Sequence, residues 1–213
     1  MIKELILNRD YEGLRKALSG NPALANEGIP YDENNSAKAH PLHRLCDAVF
    51  NNTLTDEEAI EIAGIFLKHG ANINGNTAEE KKDTPLIAAA SLNAEDTGIF
   101  YVDQGADIHH AGCHGGTALH WAAWTGRDKL VKRLLQEKQD INKLCIDHTA
   151  TPLFWAVHGY MFNNGKNRHH QIECARLLLE AGADKTIPNI EGKQPVEILD
   201  NEDVTLKELL SKV

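Results

Sequence analysis

Apolar and polar positions along the chain follow a helical period, and the pattern restarts at a near-constant interval. Thr84-Pro85-Leu86, Thr117-Ala118-Leu119-His120 and Thr151-Pro152-Leu153 stand 33 and 34 residues apart. Each leads into a short Ala-rich segment: Ala88-Ala89-Ala90, Ala122-Ala123 and Ala156-Val157. A second phrase runs in phase with the first. Gly105-Ala106-Asp107-Ile108 begins 21 residues after Thr84 and is echoed by Gly70-Ala71-Asn72-Ile73-Asn74 and Gly182-Ala183-Asp184. Apolar stripes of helical spacing precede these phrases, as in Leu130-Val131-Leu134-Leu135 and Ala175-Leu178-Leu179. Thr before Pro predicts a helix start, because the hydroxyl accepts from an orphan amide and Pro at the first helical position gives up no bond it needed. Gly after the Leu pair predicts a helix stop, where the chain enters a left-handed conformation at no steric cost. Each unit is therefore predicted as a helix, a tight turn, an antiparallel helix and a projecting loop, with small Ala residues letting neighbouring pairs approach closely.

With these phrases in place, the sequence resembles the ankyrin repeat family over nearly its whole length. The resemblance implies an all-α fold, an ankyrin-repeat solenoid of about five repeats plus a C-terminal cap, forming a single domain over residues 1–213. The units are read at about 1–36, 37–80, 81–113, 114–147 and 148–190, with the cap at 191–213. The first keeps only Gly13-Leu14-Leu18 and Leu24-Ala25-Asn26, and the cap keeps Gly192-Lys193-Gln194-Pro195 and a polar helix ending Leu206-Leu209-Leu210. Atypical ends suit a stack whose terminal units face water on one side.

Two units are long. From His40, where Thr is expected, to Gly70 is 30 residues, and from Thr151 to Gly182 is 31, against 21 in the regular units. About ten residues are thus inserted between the paired helices, an acidic run at Asn51 to Glu58 and a basic, His-rich one at Asn163 to Gln171. They are read either as a longer helical hairpin or loose loop, or as an excursion that grips a partner.

Composition changes this picture only at the edges. The 213 residues are 42% apolar, 25% charged and 6% aromatic, as in an ordinary globular chain. A net charge of −9 lacks the electrostatic footprint of a nucleic-acid binder. Residues 1–110 hold 18 acids and 9 bases while 111–213 hold 13 of each, so the excess is confined to the first half, with Glu79, Glu80, Asp83, Glu95 and Asp96 among its acids. Without an apolar run of spanning length or a signal-like start, the chain is read as cytoplasmic, off the membrane and monomeric. Cys46, Cys113, Cys145 and Cys174 lack paired spacing and read as reduced thiols.

The residues that a repeat scaffold does not need carry the functional reading. No nucleophile elbow, zinc-protease helix, phosphate-cradling loop or paired-cysteine motif is present, so no catalytic residue and no cofactor is assigned. All three tryptophans fall in 121–155. Trp121 and Trp155 occupy one slot of successive units and read as core or partner-facing, whereas the resemblance places Trp124 on the concave groove. His158 fills the Trp124 slot one unit later, and Tyr160 follows it. Among 11 histidines, the resemblance gives His43 and His120 a structural hydrogen bond between turns, while Phe154 replaces that His in the next unit. It also puts His114 and His148 at projecting loop tips. The run His109-His110-Ala111-Gly112-Cys113-His114 offers zinc-type ligands, but in no closed-site spacing, so it reads equally as a loop whose imidazoles bond locally or contact a partner.

The expectation is a non-catalytic protein-binding module. It holds one protein partner, possible roles including that of an inhibitor or immunity-like protein, through His114, Trp121, Trp124, His148, Trp155, His158 and Tyr160. The rival is a metal-dependent or otherwise unrecognised enzyme built on the cluster at 109–114.

Overall fold

The computed structural model describes residues 1–31, 37–75, 82–163 and 167–211. The chain divides into two compact units, one formed by Met1–Glu79 with Asp83–Asp107 and the other by Glu80–Lys82 with Ile108–Val213. Both are helical.

In the first unit, α1 (Ile2–Leu7) and α2 (Tyr11–Gly20) precede a two-stranded antiparallel ribbon in which Ile29 of β1 (Ile29–Pro30) faces Ala39 of β2 (Lys38–Ala39). Two helix pairs follow: α3 (Pro41–Phe50) with α4 (Asp56–Lys68), and α5 (Pro85–Ser91) with α6 (Glu95–Asp103). Leu42, Leu45, Ile62, Phe66, Leu86 and Tyr101 fill the space between them. Asp56 binds the second pair to the first, accepting from the Thr97 amide at 2.9 Å and the Thr97 hydroxyl at 2.5 Å.

The second unit repeats the plan with α7 (Ala118–Thr125) and α8 (Asp128–Leu134), then α9 (Pro152–Phe162) and α10 (Arg168–Glu180), closed by α11 (Val204–Ser211). Helix α9 packs on α7 and α10, and α8 on α10, around Leu119, Leu130, Leu134, Leu153, Val157 and Leu178.

The start and stop signals act as their chemistry dictates. The Thr84 hydroxyl accepts from the Ile87 amide at 3.3 Å and that of Thr151 from the Phe154 amide at 3.2 Å. Where His40 replaces Thr, its Nδ1 accepts from the Leu42 amide at 3.3 Å, and its Nε2 faces Asn26 Oδ1 at 3.0 Å. Burial pushes the His40 pKa down to about 4, with His43 adding to the effect. Gly70, Gly105 and Gly182 stop their helices at φ 88°, 83° and 95°. Asparagine side chains then stitch repeat to repeat: Asn74 Oδ1 takes the Asp107 amide and Asn142 Oδ1 the Asp184 amide, both at 2.8 Å.

Both insertions lengthen helices. Helices α3 and α4 run 10 and 13 residues and α9 and α10 run 11 and 13, against 7 and 9 for α5 and α6. A Thr55/Glu58 capping box starts α4 inside the first insertion. Residues 164–166 of the second insertion, and Glu79 and Glu80 of the acidic half, lie outside the described residues. The apolar stripe that includes Leu134 and Leu135 is not buried evenly. Leu134 is fully buried, whereas Leu135 is half-buried at the end of α8. Helix α8 ends at Leu134, four residues before Lys138, which stands where the other units have Gly, and Gln139 Nε2 donates to the Leu134 carbonyl at 2.5 Å.

Candidate functional site

The second unit gathers the surplus aromatic and imidazole groups, and its turns determine how. Before α7 the chain makes a tight turn over Cys113–Gly115 in which His114 and Gly115 are both left-handed, at φ 58° and 69°. This twist aims the His114 carbonyl at the next turn, where it accepts from the Ile146 amide at 3.1 Å and the Asp147 amide at 3.2 Å. The His148 carbonyl takes the Ile190 amide at 2.8 Å in the same manner. A Cβ at Gly115 would collide with the Ile146 backbone nitrogen, so glycine there lets successive turns touch. His114 and His148 thereby stand in register, exposed, with ring centres 5.9 Å apart. Asp147 Oδ2 fixes His114 through Nδ1 at 2.9 Å.

Beneath this rim, side chains continue in one row. His114 lies 6.2 Å from Trp121, which meets Trp155 edge-on at 5.1 Å and Trp124 edge-on at 6.1 Å. Trp124 Nε1 donates to His158 Nδ1 at 3.2 Å, and the His158 ring lies 4.5 Å from Phe162. Trp121 and Trp124 are half-buried and His158 is exposed. The Trp121 indole N–H has no hydrogen-bond partner among the described residues. Six of the seven residues singled out from sequence are thus contiguous.

The row rests on an interior joint. His120 Nδ1 accepts from the Thr117 amide at 3.1 Å and the Thr117 hydroxyl at 2.9 Å, which places the proton on Nε2. That N–H faces the carbonyls of Lys143 at 3.0 Å and Ala150 at 3.3 Å, the inter-turn bond that the resemblance implies. Burial drives the His120 pKa down to about 4 and keeps the ring neutral. His43 is half-buried, and burial lowers its pKa too.

Two of the seven residues are interior: Trp155 takes the core reading of the two left open for it, and Tyr160 is buried, so neither offers the partner-binding surface assigned to it. Trp155 is buried with Cys145, Ala150 and Phe154, its Nε1 donating to Cys145 Sγ at 3.4 Å, so it supports the row from below. Tyr160 lies apart from it. Its buried hydroxyl donates to Asp203 Oδ1 at 2.8 Å, and Arg168 covers its ring, because the segment before α11 packs against this part of α9.

Other members of the face went unnoticed in the sequence. Ile146 and Ile190, 58% and 65% exposed on the turns, and Phe162, 61% exposed at the end of α9, flank the row with apolar surface. The first two occupy loop positions where a repeat scaffold has no use for an apolar side chain, and that mismatch was their signal.

The run at 109–114 does not converge. His110 Nε2 meets the Lys82 carbonyl at 2.7 Å while His114 pairs with Asp147. Among the described residues no group of three or more His, Cys, Asp or Glu is placed to hold a metal ion. Nor is any described helix long and apolar enough to cross a membrane.

Comparison with known proteins agrees with the repeat reading. The family described as Ankyrin repeats (3 copies) matches residues 45–145 and 100–189. Palmitoyltransferase ZDHHC13 of Mus musculus is 31% identical over 144 residues, covering 62% of this chain and 22% of that protein. The Homo sapiens protein of the same name is 29% identical over 137 residues, 60% of this chain and 20% of its own length. Palmitoyltransferase Hip14 of Drosophila melanogaster is 29% identical over 97 residues, 46% and 14%. The chain therefore matches about a fifth or less of these relatives' lengths.

Proposed function

The chain belongs to the ankyrin repeat family, and we propose that it works without catalysis, as a protein-binding module whose second unit holds one partner against its histidine–tryptophan row. The carrying observation is the continuity of that row. His148, His114, Trp121, Trp124 and His158 succeed one another from the rim inward, bordered by Ile146, Ile190 and Phe162. Amphipathic aromatics on a rigid support are the groups that anchor protein interfaces, because they bury large areas while losing little rotamer freedom. The chain acts as a cytoplasmic monomer without a cofactor, and its acidic first half steers a basic target whose activity it blocks. The transferase activity in the relatives' names is not carried over, since the matched stretch is a small share of each.

Capture experiments compare the wild type with Trp124→Ala and with Phe50→Ala, the latter an exposed apolar control on the first unit. Partner capture falls at least tenfold in Trp124→Ala, about 1.4 kcal/mol, and persists in Phe50→Ala. Equal capture by all three proteins refutes the assignment of the face.

A further inference from the structure

The contact that completes the row is a hydrogen bond whose acceptor can be protonated. We propose that the face is acid-gated: protonation of His158 removes the acceptor that holds the Trp124 indole N–H, so the row assembled at neutral pH comes apart in mildly acid solution. The inference rests on the binding reading for its biological use, but its chemistry belongs to the free protein.

The geometry fixes the direction. Because Nδ1 accepts from Trp124, neutral His158 carries its proton on Nε2. Adding a proton places an N–H on Nδ1, opposite the indole N–H, and two donors cannot share that 3.2 Å contact. One ring must then turn away. The surroundings give the cation no paired anion. From the turn before α9 comes His148, itself ionisable, and from α7 comes the uncharged Trp124. On α9 itself the neighbour is the Phe162 ring. Arg168 of α10 and Asp203 of the segment before α11 are both engaged with Tyr160, two residues on. The carboxylate of Asp147 is held by His114. No carboxylate pairs with His158 among the described residues, and partial burial, followed by His148, sets its pKa below the ordinary histidine value of 6.5.

The sequence of events is therefore asymmetric along the face. His114 is held by the carboxylate of Asp147, whereas a protonated His158 loses the hydrogen bond that ties it to the row. Trp124 meets Trp121 edge-on at 6.1 Å, so its displacement uncovers a flank of the central indole.

The test is a pH titration of the full-length chain from 7.5 to about 5, following the three indole N–H resonances and the His158 imidazole by NMR, with far-UV circular dichroism as the check on fold. A Trp124→Phe sample identifies the Trp124 signal. That signal is expected to move with a midpoint below 6.5, matching the His158 ring's own midpoint, and to stop moving in His158→Gln. A Trp124 resonance that stays fixed through pH 5 overturns the gate, and so does one that moves equally in His158→Gln or at a midpoint unrelated to the His158 ring. Failure here leaves the binding face itself standing, while loss of the face in the capture experiment leaves this titration unaffected.

Discussion

Replacing His120 by Gln separates the acid sensitivity of one buried joint from that of the whole chain. The ring makes its contacts in the fully buried seam between α7 and the following turn, receiving two donors from Thr117 and facing two carbonyls. At pH 7.5 a Gln amide satisfies only part of this set. With net values of about 1 kcal/mol per hydrogen bond, the variant loses roughly 1–3 kcal/mol. The pH dependence is more diagnostic. Burial lowers the folded pKa from 6.5 to about 4. Above 6.5 both folded and unfolded states are neutral and the joint contributes fully. As the pH falls below 6.5 the unfolded chain takes a proton that the folded one refuses, so stability drops until the folded ring itself titrates near 4. At 1.36 kcal/mol per pKa unit, the gap is worth about 3 kcal/mol. Urea unfolding at pH 7.5 and 4.5, read by tryptophan fluorescence, measures it, because Trp121, Trp124 and Trp155 all lie in the second unit. Carboxylates and the remaining histidines titrate in both proteins and cancel in the difference. The wild type is expected to lose about 2.5 kcal/mol more than His120→Gln between the two pH values, since pH 4.5 stops short of the folded ring's own titration. Equal losses would refute a neutral, proton-refusing His120.

Three further outcomes are expected. Leu134→Ala costs roughly 2–5 kcal/mol in urea unfolding, and Leu135→Ala clearly less, since only the first is fully buried; the reverse ranking contradicts the register of α8. Tyr160→Phe costs about 1–2 kcal/mol by the same assay, because it strips a buried donor from Asp203 and leaves its carboxylate the Asp200 amide at 3.0 Å; no change means that the hydroxyl does not hold the C-terminal segment. Untagged protein carries no stoichiometric zinc, and chelator leaves its melting temperature unmoved; tight one-to-one zinc lost in Cys113→Ser/His114→Ala would revive the metal-enzyme reading.

The repeat was legible because its signals are local. A Thr-Pro start or a Gly stop acts within four residues, so Thr84, Thr151, Gly105 and Gly182 declared their roles without knowledge of their neighbours. Residues whose role depends on a distant segment were less readable. Tyr160 looked like part of the face until Asp203, 43 positions on, came to meet it. Leu134 and Leu135 sit on one apolar stripe, and only the early end of α8 decides which of them is buried. Trp155 and Trp121 share a slot, yet Cys145 and Phe154 enclose the first while the second reaches the surface. The exposed Ile146 and Ile190 lie on turns, where no helical period marks an apolar residue.

The left-handed His114 turn has a consequence for how a partner would arrive. Its backbone is held in a conformation that few residues other than Gly and Asn accept readily, its carbonyl is occupied by two amides of the next turn, and its ring is fixed by Asp147. Most of the freedom that an exposed imidazole would surrender on docking has therefore been removed during folding. A side chain ordered in advance costs a complex little of the roughly 0.5–1.5 kcal/mol that immobilising a flexible one demands. On the binding reading proposed above, this corner would meet a partner as a rigid template, and an encounter would be accepted or rejected on shape at first contact without awaiting rearrangement.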